Sequence, residues 1–277
     1  MQPREPSRTA RGAAGHRAAH QIVERGAIFR DEFARRILSE EDLAAADSRA
    51  AGPAGKALRF FIAARGRFAE DALAGAVASG TRQAVVLGAG FDTFALRNPY
   101  PDLTVFEVDH PATQAWKRER LAAETIALPD TLRFVAMDFE RENLAERLAA
   151  NGFASDAPAF FLWLGVVPYL TRAAIFAVLR FVAAQKDNQI VFDYGEPLHA
   201  RPILARLRAL AFAARVAALG EPFLTFFTPA TLHPELRALG FDEIEDLDVA
   251  SIAARYFPQS RVRPGSGGGH LIRARAG

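Results

Sequence analysis

From residue 83 onward, short apolar runs alternate with longer segments of helical periodicity, and this alternation limits the possible fold more than any other feature. Five runs rich in Val, Leu, Ile and Phe are predicted as strands: 83–88, 103–109, 132–137, 159–165 and 189–195. Continuous apolar character is typical of strands that are covered on both faces. With helical stretches between them, these runs predict an α/β fold, in which helices cover both faces of a mostly parallel sheet.

The remaining segments extend this pattern towards both ends of the chain. Helices are predicted at 16–47, 56–78, 112–124, 142–150, 172–185 (with Thr171 as N-cap), 198–219 and from about 229. Two further strands, at 241–249 and 270–276, would complete a seven-stranded sheet.

Composition restricts the class of protein. The chain has 277 residues, half of them apolar, and no long linker, so we expect a single domain over 1–277. There is no Cys, which excludes disulfides and thiolate chemistry, and no metal site is predicted. The net charge is only +2, so the charge does not indicate binding to nucleic acid. No apolar run approaches the roughly 20 residues that span a bilayer. Without an apolar signal segment at its start, the sequence predicts a cytoplasmic protein that binds neither nucleic acid nor membrane.

The first predicted strand ends in a Gly-x-Gly turn formed by Gly88, Ala89 and Gly90. Open α/β sheets bind ligands at the carboxyl ends of their strands. Glycine allows a positive φ there and lets a ligand approach the backbone closely. The turn is therefore a candidate ligand site, although an ordinary tight connection between strand and helix would have the same sequence.

Two acidic residues, Glu107 and Asp109, end the second strand about 20 residues after the glycines. At that position a carboxylate can accept hydrogen bonds from both ribose hydroxyls of an adenosine-type ligand. A solvated carboxylate at a strand end is the alternative. The spacing from Gly88 favours the ligand.

The residues after the turn discriminate between adenosine cofactors. A dinucleotide fingerprint has a third glycine where this chain has Thr93, and Asp92 would repel a pyrophosphate. S-adenosylmethionine carries a sulfonium and an ammonium group but no phosphate. The turn therefore favours S-adenosylmethionine over NAD.

The third and fourth strand ends add further candidates. Asp138 and Phe139 could meet an adenine through a carboxylate and a backbone N–H, or Asp138 could be the N-cap of the following helix. Tyr169 and Trp163 are candidates to line the methyl-transfer region, with core packing favoured for Trp163.

Four stretches in order along the chain resemble the leucine carboxyl methyltransferase-like family of S-adenosylmethionine-dependent O-methyltransferases: VVLGAGFDTFALR, VFEVDHPATQAWKRERL, VAMDFE and VVPYLT. The resemblance, over about residues 16–250, implies a doubly wound sheet of order 3-2-1-4-5-7-6 with strand 7 antiparallel. It also implies a helical lid over the cofactor, which we expect within residues 1–80. The Rossmann-like core would then occupy residues 81–277, with inserted helices around 198–240.

The resemblance also implies roles for individual residues. Gly88 and Gly90 match the cofactor turn, and Asp109 matches the ribose-binding acid, with Glu107 close by. Asp138 and Phe139 match the pair on the adenine side. Arg65 matches the arginine that pairs with the cofactor carboxylate. Arg67 could compete with Arg65. One position departs from the pattern: Leu164 stands where the family often has an acidic residue, so one polar contact to the cofactor is missing or supplied elsewhere.

Methyl transfer needs an aligned nucleophile and a dry site. A carboxylate acceptor needs no general base, whereas a hydroxyl usually does, and His199 is the best-placed candidate base, followed by His16 and His20. The leading hypothesis is an S-adenosylmethionine-dependent methyltransferase that acts on a carboxylate or hydroxyl of a small molecule. The alternatives are an NAD-dependent oxidoreductase and a non-catalytic relative that binds S-adenosylmethionine. The sequence does not predict the oligomeric state.

Overall fold

One sheet organises the structure, a computed structural model that describes residues 7–50, 53–201, 203–258 and 268–277. Its strands are β1 (Gln83–Leu87), β2 (Thr104–Asp109), β3 (Leu132–Ala136), β4 (Ala159–Trp163), β5 (Gln189–Gly195), β6 (Phe241–Leu247) and β7 (Gly269–Ala276). Their order is β3-β2-β1-β4-β5-β7-β6, with β1 to β5 parallel and β7 antiparallel to both of its neighbours. This confirms the α/β fold and the strand order that the resemblance implied.

Helices precede, connect and follow the strands. They are α1 (Arg8–Val23), α2 (Glu40–Ala50), α3 (Pro53–Ala78), α4 (Phe94–Arg97), α5 (Pro111–Ala123), α6 (Leu144–Ala149), α7 (Arg172–Ala183), α8 (Ile203–Ala218), α9 (Pro229–Leu239) and α10 (Val249–Tyr256). Short 3-10 turns cover Val167–Tyr169 and Leu198–Ala200. The Thr171 hydroxyl caps α7 by accepting a hydrogen bond from the Ala174 N–H at 3.3 Å, as predicted.

Two predicted helices have different bounds in the structure. The single helix predicted over 16–47 is wrong: α1 ends at Val23 because Arg25 and Gly26 both have a positive φ, 54° and 63°, which a right-handed helix cannot contain. The helix predicted from residue 198 begins as a 3-10 turn. The extended backbone of Arg201 then separates that turn from α8.

The apolar core lies on both faces of the sheet because successive side chains of a strand point in opposite directions. Val85, Phe161 and Trp163 pack on the face that α6, α7 and α9 cover. Val86 and Phe160 pack on the other face, against α3 and α10. Trp163 has no exposed surface, so the predicted core role of this residue is confirmed.

Within the described residues, no helix combines the length and the apolar character that crossing a membrane would require. The cytoplasmic location stays a prediction from the sequence.

A buried polar cluster joins the antiparallel strands. The Asp246 carboxylate accepts a hydrogen bond from the Tyr194 hydroxyl at 2.5 Å and lies 2.7 Å from His233 Nε2 and 2.8 Å from His270 Nδ1. On its other side, His270 Nε2 lies 3.6 Å from Glu196. Burial alone would lower the pKa of His270, but the hydrogen bond and the charge of Asp246, with Glu196, raise it above its ordinary value.

This cluster predicts a pH dependence of stability. Because the folded state raises the pKa of His270, the stabilisation is complete below the ordinary pKa of 6.5 and is lost as the pH rises through the higher folded value. Thermal unfolding between about pH 6 and about pH 9 should therefore show a melting temperature that falls by a few degrees. His270→Gln should flatten this dependence, whereas His199→Gln, at an exposed histidine, should not. Parallel pH curves for the wild type and His270→Gln would contradict the prediction.

Candidate active site

The glycine turn follows β1 directly and depends on the absence of side chains. Gly88 and Gly90 have φ values of 64° and 51°, in the left-handed region that favours glycine. A Cβ atom on Gly88 would lie 2.4 Å from Cγ2 of Val166, in the segment after β4. The Ala89 N–H donates to the carbonyl of Val108 at 3.0 Å, which fixes the turn against β2. The turn is thus a rigid backbone surface at the carboxyl end of β1.

Asp109 lies beside this turn at the end of β2 and remains partly exposed. Its carboxylate accepts hydrogen bonds from the backbone N–H groups of Gly90 and, at 2.6 Å, of His110. Burial raises the pKa of Asp109, and the two N–H donors oppose that rise. The carboxylate therefore has a fixed orientation next to Gly90.

Glu107 has a different environment, although it points to the same side of β2. Its side chain is only 1% exposed, and Oε2 lies 2.6 Å from Nζ of Lys117, which is equally buried. Among the described residues, Oε1 has no hydrogen-bond partner. Lys117 also donates to the backbone carbonyl of Asp92 at 2.5 Å. Glu107 therefore holds Lys117 below the turn through Oε2, while Oε1 accepts no hydrogen bond from the described residues.

A second charged group lies at the carboxyl ends of β4 and β5. Nη1 of Arg65, from α3, lies 3.2 Å from Oδ2 of Asp193 in β5. The other carboxylate oxygen of Asp193 accepts the Gly165 N–H. Gly165 has a φ of 75°, and a Cβ there would lie 2.7 Å from the Arg65 guanidinium. The pair presents a cation and a carboxylate side by side.

Neighbouring residues clarify which sequence candidates belong to this pair. Arg67, the competitor of Arg65, is half exposed and pairs with Asp71 one helical turn further on, at 2.8 Å. Leu164 packs against the apolar cluster between α3 and the sheet. The carboxylate nearest this segment belongs to Asp193, which accepts the Gly165 N–H and was predicted only as part of an apolar strand. A charged residue within that apolar run is the sequence feature that could have identified Asp193 as a site residue.

The end of β3 brings Asp138 and Phe139 to the same edge of the sheet. The Asp138 side chain accepts the Glu140 N–H at 3.0 Å and so closes its own turn. The N-cap of α6 is Asn143, which leaves Asp138 outside that helix. Phe139 is partly buried against the core.

The N-terminal helix α1 lies over the glycine turn. The methyl group of Ala10 would be 3.1 Å from a Cβ on Gly90, and Arg17 donates to the carbonyl of Phe91. Asp31, only 1% exposed, lies 3.1 Å from Nε of Arg17 and accepts the Thr93 hydroxyl at 2.7 Å. Asp31, which was not predicted from the sequence, links the N-terminal segment to the turn.

Tyr169 lies between α1 and the Arg65–Asp193 pair. Its hydroxyl is hydrogen-bonded to Thr9, and its ring lies 5.2 Å from that of Phe223. Burial raises the pKa of Tyr169 to about 12, so the phenol is protonated at neutral pH. Tyr169 can donate a hydrogen bond but is no base under these conditions.

The predicted histidine bases lie in separate places. The imidazole of His199 is exposed on the 3-10 turn after β5. His20 is fully buried, with Nδ1 3.1 Å from Glu24, and burial lowers its pKa. His16 lines a groove between α1 and α2.

Comparison with solved structures identifies proteins that share this fold. Human N-acetylserotonin methyltransferase, solved with S-adenosylmethionine, covers 98% of this chain and 68% of its own, with 17% identity and a TM-score of 0.50. The alignment with a DUF574-family protein from Streptomyces avermitilis covers 96% of this chain and 97% of that protein, with 16% identity and a TM-score of 0.56. The alignment with magnesium protoporphyrin IX methyltransferase from Synechocystis covers 97% of this chain and 100% of that protein, with 11% identity and a TM-score of 0.51. The fold is therefore that of the class I S-adenosylmethionine-dependent methyltransferases.

Sequence relatives narrow this class to a family. The chain matches the leucine carboxyl methyltransferase family over residues 10–183, and it belongs to that family. It is 34% identical to YktD of Bacillus subtilis, a candidate S-adenosylmethionine-dependent methyltransferase, over 66% of this chain and 64% of that relative. A Streptomyces coelicolor relative of the same description is 32% identical over 79% of this chain and 78% of its own. The family favours S-adenosylmethionine as the cofactor, not NAD.

Proposed function

We propose that this protein transfers a methyl group from S-adenosylmethionine to a carboxylate or hydroxyl oxygen of a small molecule. The observation that carries the proposal is the Arg65–Asp193 pair beside the glycine turn. A zwitterionic amino acid carries a carboxylate and an ammonium group, and the pair offers one opposite charge to each. A pyrophosphate is an anion, so the carboxylate of Asp193 would repel it.

The residues of the site fit the cofactor at both of its ends. Asp109 would accept the ribose hydroxyls, with Glu107 supporting it from below through Lys117. Asp138 and Phe139 would meet the adenine. The backbone of Gly88, Ala89 and Gly90 would lie against the bound molecule, and a Cβ on Gly88 would displace this turn because it would clash with Val166. Asp193 supplies the carboxylate that Leu164 lacks.

When bound, S-adenosylmethionine supplies an electrophilic methyl group, to which the acceptor oxygen bonds as the carbon–sulfur bond breaks and its electron pair stays on sulfur. The chain's own contribution is to align the acceptor and exclude water. We propose that α1, as the lid, covers the turn, and that Tyr169 donates a hydrogen bond near the reacting oxygen. The exposed position of His199 favours an acceptor that arrives as an anion.

Calorimetric titration with S-adenosylmethionine and S-adenosylhomocysteine tests the proposal. We expect binding of both, and methyl transfer to members of a panel of small acids and phenols. Absence of binding at millimolar ligand would overturn it. Binding without turnover of any acceptor would favour the non-catalytic alternative.

Asp109→Ala should weaken cofactor binding by about 2–4 kcal/mol, because it removes a charged acceptor of two ribose hydroxyls. Calorimetry with S-adenosylhomocysteine measures the change. The matched variant Glu107→Gln should instead lower the free energy of unfolding and leave the affinity within about threefold, since Glu107 lies below the surface of the site. Unchanged affinity in Asp109→Ala would mean that another residue holds the ribose.

A further inference from the structure

Arg201 places a guanidinium group at the carboxyl end of β5. Its Nε and Nη2 atoms lie 3.0 and 2.7 Å from the backbone carbonyl of Glu196, and Nη2 lies 3.5 Å from that of Gly268. Among the described residues, no carboxylate oxygen lies within ion-pair distance of this guanidinium. Burial lowers the pKa of Arg201, and the charge of Glu196 only partly opposes this.

The geometry of this guanidinium leaves one nitrogen for a ligand. Two of its nitrogens hold backbone carbonyls, whereas Nη1 makes no hydrogen bond within the described part of the chain. Arginine stays charged at any physiological pH. The hydrogen bonds of such a cation are strongest when the acceptor is an anion such as a carboxylate.

An aromatic wall connects Arg201 with Tyr169. The Phe223 ring lies 5.2 Å from that of Tyr169 and 6.3 Å from that of Phe226. Phe226 and Nη2 of Arg201 both lie within 4 Å of the position that a Cβ on Gly195 would take. Phe212, from α8, extends the wall, with its ring 5.8 Å from that of Phe223. Both Phe212 and Phe226 are 39% exposed.

The backbone places this wall at the strand ends where the acceptor would bind. The Leu224 N–H donates to the carbonyl of Pro168 at 2.7 Å, after β4, and the Phe227 N–H donates to that of Gly195 at 3.1 Å, at the end of β5. Asp193, which pairs with Arg65, precedes Gly195 by two residues. The wall and Arg201 therefore border the cofactor's amino-acid end as proposed above.

We propose that Arg201 is a specificity-determining residue that binds a carboxylate of the methyl acceptor, while the apolar or aromatic body of the acceptor lies on the wall of Phe212, Phe223 and Phe226. The inference rests on the proposed function and narrows its substrate class to carboxylic acids with an apolar body. Neutral molecules of the same shape would lose the contact with Nη1.

Calorimetry with paired probes tests this inference. Benzoate, phenylacetate and 4-phenylbutyrate are titrated against their carboxamides, with the protein both free and loaded with S-adenosylhomocysteine. We expect at least one acid to bind about tenfold or more tightly than its amide, since a charge-assisted hydrogen bond gives a difference of this order. Arg201→Gln should abolish this preference and Arg201→Lys should retain part of it.

Arg206→Gln is the matched control, because Arg206 also donates to backbone carbonyls of the same segment but is exposed. It should keep the wild-type preference for acids. A purely structural role of Arg201 would lower the melting temperature of Arg201→Gln and leave the acid-to-amide ratio unchanged, which would overturn the inference. Equal binding of acids and amides to the wild type, or binding of neither at millimolar concentration, would also overturn it. Titration with S-adenosylhomocysteine alone reports separately on the proposed function.

Discussion

Gly88→Ala is expected to weaken the binding of S-adenosylhomocysteine by about tenfold or more while the sheet stays folded. The new methyl group would lie 2.4 Å from Cγ2 of Val166 and 3.2 Å from its Cγ1. Valine is stiff about its first side-chain torsion, so the turn itself must move, and overpacking of this kind costs about 1–3 kcal/mol. The left-handed backbone adds about 1–2 kcal/mol. Calorimetry measures the affinity, and circular dichroism verifies the fold.

Gly152→Ala is the control for Gly88→Ala. Gly152 also has a positive φ, 87°, but a Cβ there would meet no atom within 4 Å. This variant pays the backbone strain without the clash, and it should bind the cofactor like the wild type. If both variants bind equally well, the close approach at Gly88 does not shape the cofactor surface.

Arg65→Gln should weaken cofactor binding by roughly 10- to 100-fold, since it removes a charged donor to the cofactor carboxylate. It also leaves Asp193 without its cation in a position that is only 8% exposed, which should lower the free energy of unfolding by about 3–5 kcal/mol. Titration with S-adenosylhomocysteine and denaturant unfolding measure the two effects separately.

Two further variants separate binding from stability at this pair. Arg67→Gln breaks an exposed pair on the same helix and should change both quantities by less than about 1 kcal/mol. The double variant Arg65→Gln/Asp193→Asn removes both charges, so it should regain part of the lost stability but none of the affinity. Recovery of affinity in the double variant would show that the pair is structural only.

The sheet could be predicted well because its signals are local. Each parallel strand is a continuous apolar run that ends at a turn, and the family resemblance supplied the strand order. Even β7, with weak apolar content, has a local explanation: His270, Ile272 and Ala274 face the core, while Arg273 and Arg275 point away and lie near Glu245 and Glu243 of β6. The alternation is that of a strand with one partly solvated face.

The site was predictable only where it follows a strand end. Asp109 and Asp138 follow apolar runs and stand out in the sequence. The pairing of Asp193 with Arg65, 128 residues earlier, and of Asp31 with Thr93, 62 residues later, has no local pattern. Such partners become visible only when the sheet brings distant segments together.

The capping of α1 affects how the protein can be handled. Glu221 accepts hydrogen bonds from the backbone N–H groups of Arg8 and Thr9, at 2.9 and 3.2 Å, and Thr9 is bonded to Tyr169. The first turn of α1 therefore lies next to Tyr169, at the proposed acceptor site. The end of β7 lies at the opposite edge of the sheet. This follows from the antiparallel pairing of β7 with β5, in which Gly269 lies beside Gly195 and Arg275 beside Gln189. An affinity tag or a fluorophore for the titrations above belongs after Gly277, away from the proposed acceptor site.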